Sequence, residues 1–442
     1  MKRITIIFIF LTGFVLSAQQ IISGTFSPAK EYTWLIAYRL KPGTQVYAAD
    51  TAIKNGDFML KLPENSPPGT YRLVYAVPQE EFYIDVIYSG EEDIKLSFNK
   101  EQGVTFSTSM ENILFSTYFR EIQQLESEIV AFYASGSLDE SAYKNILKKY
   151  TETQTSFEKR SEGTIANQFI VANKPYIPPK YENVQQYVQH RKESYFDGLD
   201  ITNSTLQASG FLTDKLTNYV FTALPIEKLE KKETEKIMQA NVAMVFEKLT
   251  SVSDAYSFHM GYTLWTQTSA SNFNDTADYI YHTYLKKSPA AATNQEIVKK
   301  IEVYNRLRFG AKAPEISWKE GDSLKKLSTL KGAKNYILVF WSSTCGHCLK
   351  ELPALHKELK ANDNITVVAV GLEDDHLTWD MESAKMDAFE HVIALGKWDS
   401  EYADVYDIQA TPTYFILDAD KNIIAKPEND KAVVAFLKEK GL

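Results

Sequence analysis

Cysteine is nearly absent from this 442-residue chain, which has two, Cys345 and Cys348. Two thiols cannot staple a disulfide scaffold or complete a four-thiolate zinc site. Basic residues are also in deficit. Lys and Arg number 48 against 57 Asp and Glu, a net charge of −9. Nucleic acid and anionic lipid both need a basic footprint, so neither is expected as a main partner. His190, His259 and His282 stand alone, without the His-x-x-x-His or Glu-x-x-His spacing of a metal site. No metal, nucleotide or organic cofactor is expected. No fixed-period repeat marks a solenoid. The single long apolar run, Ile4 to Leu16, falls short of the roughly 20 residues a membrane span requires.

What is present begins with that run. Lys2-Arg3 precedes it and Ser17-Ala18-Gln19 comes after it. A basic start, a short apolar stretch and small residues at its end make a secretory signal peptide. Residues 1–19 are therefore expected to be removed, by cleavage after Ala18 or Gln19. The mature chain is expected in the periplasm or cell envelope, soluble and without stable membrane insertion. Hydrophobic residues make up 44% of the chain and aromatics 13%, enough to fill several cores.

The pattern then changes twice. Residues 20–107 read as a small β-sandwich. Thr33–Arg39, Gly56–Leu62, Thr70–Val77, Glu81–Tyr88 and Asp93–Phe98 alternate apolar and polar residues, and turn signals separate them. Asn55-Gly56 predicts a tight hairpin turn. Residues 108–309 read as all-helical. Ile113, Leu114, Tyr118, Ile122, Leu125, Ile129 and Phe132 recur at three- and four-residue spacings. Further helices are expected near 211–224, 226–249, 255–267, 276–286 and 294–307, with aromatic stripes read as core. Residues 310–442 alternate strands with helices, as an α/β domain does: strands at 335–341 and 365–371, helices at 345–359 and 378–389, a hairpin at 413–426 and a closing helix at 432–440.

The chemistry concentrates where the first of those strands meets its helix, in Trp341-Ser342-Ser343-Thr344-Cys345-Gly346-His347-Cys348. A Cys at a helix N-terminus meets unpaired N–H groups and the positive end of the dipole, and both favour the thiolate. Cys345 is expected to be the exposed attacking thiol. Cys348, one helical turn on, can resolve a mixed disulfide. Half a zinc site and a static disulfide are the competing readings. The first lacks further ligands, and the second closes too short a loop to constrain the unfolded chain much. Glu351 shares the helix face of Cys348 and, if buried, could exchange a proton with it. Pro353 stands inside the helix and should kink it. Thr411-Pro412-Thr413 leads into the last apolar strand.

These residues resemble the TlpA/ResA-like thiol–disulfide reductases of bacterial envelopes. Trp341 to Cys348 matches the family's Trp-x-x-x-Cys-x-x-Cys signature, and Glu351, Pro353, Ala313-Pro314 and Leu330-Lys331-Gly332 fall on its other landmarks. The resemblance implies a thioredoxin-like fold over 310–442, a cis Pro412 facing the cysteines, and a Thr411 backbone that pairs with substrate. It also implies extra elements between Gly371 and Ala410. Val339 replaces the buried Asp of ordinary thioredoxins, Thr344 replaces a common aromatic, and His347 gives a Cys-Gly-His-Cys site like that of disulfide isomerases. The order of a β domain, a helical segment and a TlpA-like domain resembles an architecture of exported Bacteroidetes proteins.

Residues and resemblance together point to an exported oxidoreductase that reduces protein disulfides, with Cys345, Cys348 and Glu351 catalytic and Trp341, Gly346, His347, Thr411 and Pro412 in support. An upstream membrane thiol carrier would supply electrons. Three alternatives stay open: an isomerase or oxidant using the same site, a surface-binding protein whose redox domain is accessory, and a thiol peroxidase. The last lacks the Pro-x-x-x-Thr-x-x-Cys context.

Overall fold

The structure is a computed structural model that describes residues 20–441, so the signal-peptide reading over 1–19 lies outside the described residues. The chain divides into two compact units, one ending at Ala290 and the other starting at Ala291.

The first unit opens with eight strands: β1 (Ile21–Ser27), β2 (Trp34–Lys41), β3 (Thr44–Ala52), β4 (Asp57–Lys61), β5 (Gly69–Val74), β6 (Tyr83–Tyr88), β7 (Ile94–Asn99) and β8 (Gly103–Phe106). They form two four-stranded sheets, in the orders β4-β1-β7-β8 and β3-β2-β5-β6. Alternation explains the sandwich. In β4, Phe58 and Leu60 point inward while Asp57, Met59 and Lys61 face solvent. Ile22, Phe26 and Leu96 from one sheet meet Leu35, Leu73 and Val86 from the other in one core.

Three of these strands, β1, β3 and β8, lie outside the five expected. β1 carries Ser23, Gly24 and Thr25 in place of large apolar residues. β3 is a half-exposed edge strand rich in Ala and Thr. β8 has only four residues. The Asn55-Gly56 turn forms as its residues dictate, with φ of 54° and 89° and paired bonds between Lys54 and Asp57. It joins strands that belong to different sheets, so it closes a single bridge and not a long hairpin.

Ten helices come next: α1 (Met110–Ala134), α2 (Glu140–Arg160), α3 (Ile165–Ala172), α4 (Val184–Glu193), α5 (Ser204–Gln207), α6 (Gly210–Thr222), α7 (Lys231–Lys248), α8 (Asp254–Ala270), α9 (Asn274–Ile280) and α10 (Gln295–Leu307). Helix α1 buries Leu114, Tyr118, Ile122, Leu125, Ile129 and Phe132, a stripe one turn wide, and Ser109 caps its start. Two expected ends move. Helix α7 starts at Lys231 and not near 226, and Ile226 stays exposed. Helix α9 stops at Ile280 and runs on as a π-helical turn, Tyr281–Leu285.

The second unit corrects the expected division at 309/310. Helix α10 belongs to this unit, with Leu307 inside its core and Val303 packed against it. After α10 come β9 (Ser317–Glu320), β10 (Ser323–Lys326), β11 (Asn335–Trp341), α11 (Cys348–Leu359), β12 (Ile365–Glu373), α12 (Leu377–Ser383), β13 (Glu390–Leu395), α13 (Glu401–Val405), β14 (Thr413–Leu417), β15 (Ile423–Ala425) and α14 (Asp430–Glu439). The main sheet runs β13-β12-β11-β14-β15, with β11, β12 and β13 parallel and β14 antiparallel to β11. Every residue of β11 is buried, as a central strand covered on both faces must be. Ile337, Val339 and Trp341 face α11 and α14; Tyr336, Leu338 and Phe340 face the core that holds Leu307 and Tyr406.

The segment before β9 lies along the sheet edge. Gly310 N–H donates to Ile423 O at 2.8 Å, Ile423 N–H to Ala311 O at 2.8 Å, and Ala313 N–H to Lys421 O at 2.9 Å. The insert between Gly371 and Ala410 supplies α12, β13 and α13. Its first helix is shorter than expected, ending at Ser383, because Ser383 and Met386 take the chain through tight turns toward β13.

Candidate functional site

The C-terminal ends of β11 and β12, the start of α11 and the loop before β14 come together at one end of the sheet. Helix α11 begins at Cys348 and not at Cys345, as the sequence suggested. Cys345 occupies the turn ahead of it, and His347 stands at the cap position. The Cys345 carbonyl accepts the Leu349 N–H at 3.1 Å, and its Sγ accepts the Cys348 N–H at 3.4 Å. Its thiol donates to Thr411 O at 3.4 Å. Both cysteines are free thiols, Cys345 half-buried and Cys348 buried.

The two thiols are pushed in opposite directions. Burial raises the Cys345 pKa, but hydrogen bonds from the Cys348 thiol and N–H and from the His347 N–H outweigh it, and the net is a pKa below the ordinary value. The interaction with Thr411 adds to the fall. Burial pushes Cys348 up to about 12, and the neighbouring Cys345 adds to the rise. A half-exposed, acidified thiol thus stands one turn from a buried, proton-retaining one.

The other expected residues divide into two groups. Trp341 is fully buried under the site, and its Nε1 has no hydrogen-bond partner among the described residues. The Thr411–Pro412 bond is cis, and both residues are half-buried beside Cys345. Gly346 and His347 are exposed. Glu351 is engaged elsewhere than expected. Its Oε2 accepts the Tyr414 hydroxyl at 3.0 Å and the Asp430 N–H at 3.2 Å, at the start of α14. Tyr414 packs in the same core as Cys348, so the carboxylate sits one side chain away from the thiol. Burial and the Glu351 charge push the Tyr414 hydroxyl far above its ordinary pKa.

Glu373 was not singled out from the sequence. It is 2% exposed, at the end of β12. Its Oε1 accepts the Ser343 N–H at 2.5 Å, and Ser342 Oγ lies 3.5 Å from Oε2. The Ser343 hydroxyl pairs with that of Thr378 at 2.6 Å. These bonds pin the two residues that precede Thr344 and Cys345. The only sequence signal was a carboxylate at the end of a six-residue apolar run, Val367 to Leu372. Gly371 has a similar role in packing. A Cβ there would lie 2.3 Å from the Trp379 Nε1, so the indole crosses the strand directly beside Trp341. Among the described residues, no group of three His, Cys, Asp or Glu is placed to hold a metal ion.

A family model described as Redoxin matches residues 308–433. A domain of a possible thiol-disulfide isomerase from Cytophaga hutchinsonii shares 32% identity, covering 30% of this chain and 94% of that one, with a TM-score of 0.27. Residues 308–433 thus match the Redoxin family model. The Redoxin domain is a thioredoxin-like oxidoreductase domain. A thiol-disulfide oxidoreductase from Bacteroides fragilis shares 26% identity over 29% of this chain and 98% of that one, with a TM-score of 0.27. No curated protein matches the chain. Helix α10 lies just ahead of the matched Redoxin residues yet packs into their core.

Proposed function

We propose that this protein is an exported thiol–disulfide oxidoreductase that reduces protein disulfides, with Cys345 as nucleophile and Cys348 as resolving thiol. The observation that carries the reading is the contrast between the two thiols, joined by the Cys348 N–H to Cys345 Sγ bond. The Cys345 thiolate attacks one sulfur of a substrate disulfide. A mixed disulfide forms, and the other substrate sulfur leaves as a thiolate that takes up a proton. Cys348 then gives up its proton toward the Tyr414–Glu351 pair and attacks Cys345 Sγ. The second substrate thiol is released and Cys345–Cys348 becomes a disulfide. The substrate has gained two electrons and two protons. A dithiol donor must return them, and a membrane thiol carrier is the proposed class. The Thr411 backbone, beside Cys345, is the proposed edge for an extended substrate strand. Export rests on residues 1–19; among the described residues no helix is long and apolar enough to cross a membrane.

Substrate trapping tests the reading. Cys348→Ala should accumulate mixed disulfides on Cys345, identified by mass spectrometry. If none accumulate and the wild type does not reduce a model disulfide, the reading fails. An isomerase reading draws on the exposed His347 between the two cysteines, since a His beside the thiolate can stabilise the reduced form. A measured potential near about −270 mV selects the reductase and one near about −180 mV the isomerase.

A further inference from the structure

One face of α10 forms the wall of a groove in the second unit. Glu296, Lys299, Lys300, Val303, Tyr304 and Leu307 recur at helical spacing along it, and the groove encloses about 610 Å³. The stripe changes character along the helix. Its first turn is charged, and its last turns carry Val303, Tyr304 and Leu307. The buried rings of Tyr406 and Phe415 line the groove too, and Thr413 and Lys426 stand along it.

Two features give this groove an occupant. The first is continuity with the thiols. Thr413 lines the groove, and Thr411, two residues earlier across cis Pro412, accepts the Cys345 thiol. The groove therefore begins two residues along the chain from the carbonyl that accepts the Cys345 thiol. The second is charge. The protein as a whole is at −9, yet Lys299, Lys300 and Lys426 all stand on this groove. Lys299 is tied to Asp404 at 3.1 Å. Glu296 and Asp407 also line the site; Asp407 acts on Lys426 electrostatically, and the Lys426 ammonium lies 5.6 Å from the Phe415 ring centroid.

We propose that a disulfide-bearing polypeptide docks in this groove through a segment in which an apolar side chain is flanked by carboxylates. The apolar side chain fills the space between Val303 and Phe415, and the carboxylates meet Lys300 and Lys426. The proposal rests on the oxidoreductase reading and specifies its substrate. It also explains why α10, outside the matched Redoxin residues, is built into the same unit.

The test uses the full chain and two peptides, each with one cystine. One carries Asp-Leu-Glu beside the cystine and the other Lys-Leu-Lys. The wild type is expected to prefer the acidic peptide roughly tenfold in kcat/KM, because exposed pairs give modest individual gains and steering adds to them. The preference should shrink as salt screens the lysines. Lys300→Glu with Lys426→Glu should abolish or reverse it. Equal turnover of both peptides by the wild type, a preference indifferent to salt, or a preference that survives the double substitution overturns the proposal. The wild-type salt series stands even if the double variant fails to fold. Failure of the wild type to reduce hydroxyethyl disulfide, which has no flanking segment, marks instead the failure of the oxidoreductase reading, and the groove proposal falls with it.

Discussion

The two units use one device for different ends. In the first, buried carboxylates receive the orphan N–H groups of distant helices. Glu111, on α1, accepts from Ile165 at 2.9 Å and Ala166 at 2.7 Å at the start of α3, and Glu235, on α7, accepts from Asp275 at 3.0 Å at the start of α9. These bonds fix how helices meet. In the second unit Glu351 does the same for α14, but Glu373 grips the loop that presents Cys345. The difference lies in the residues just beyond the capped one. Beyond Ile165 come further helical turns; two residues after Ser343 comes a thiol. A buried carboxylate is thus not in itself a catalytic sign, and its partner decides what its loss costs.

The contrast between the units fails at its largest scale if the redox end is not polarised. Alkylation by iodoacetamide should modify Cys345 with a midpoint below the ordinary thiol value of 9.0, rising with pH as the thiolate forms. Cys348, at about 12, should lag it by more than roughly a thousandfold, one decade per pKa unit. Equal rates, measured by peptide mass mapping, would remove the assigned roles.

A smaller effect separates the two caps. Glu373→Ala leaves the Ser343 N–H without its acceptor and should cost about 1–3 kcal/mol by urea denaturation, with slower disulfide exchange. Glu111→Ala should cost a similar amount while exchange in the folded protein stays at the wild-type rate. Slowed exchange in both variants would mean that Glu373 is only another structural cap.

The smallest effect concerns pH. Burial raises the Glu111 pKa above 4.5, and the bonds from Ala166 and Ile165 only partly offset it. The folded state then holds this proton more tightly than the unfolded chain. The stability that results is present below 4.5 and is lost as pH rises through the higher folded value. Denaturation of wild type and Glu111→Gln across that window should show the difference, which vanishes if the carboxyl titrates alike in both states.

Much of this was legible in the residues themselves. The helical stripe from Leu114 to Phe132 and the apolar run Tyr336 to Trp341 of β11 announce their burial directly, because period and run length encode which faces are covered. The pair Cys345 and Cys348 was visible for a similar reason: their spacing is local. What stayed hidden was long-range. Glu373 joins Ser343 across 30 residues, and Glu351 joins Tyr414 across 63, so no local pattern signals either bond. The strands β1 and β3 were hidden because small and polar residues fill them. The place of α10 was hidden because an amphipathic helix shows that it has a partner but not which one.

The segment from Gly310 to Ala313 has a consequence for the life of this protein at high concentration. Strand β15 ends the main sheet, and an open edge offers a row of N–H and C=O groups to any neighbouring chain. The chain's own backbone has already taken the Lys421 and Ile423 groups on that side. The β15 side of the sheet is thereby closed to foreign strands, and the strand pairing proposed at Thr411 meets no competition from it.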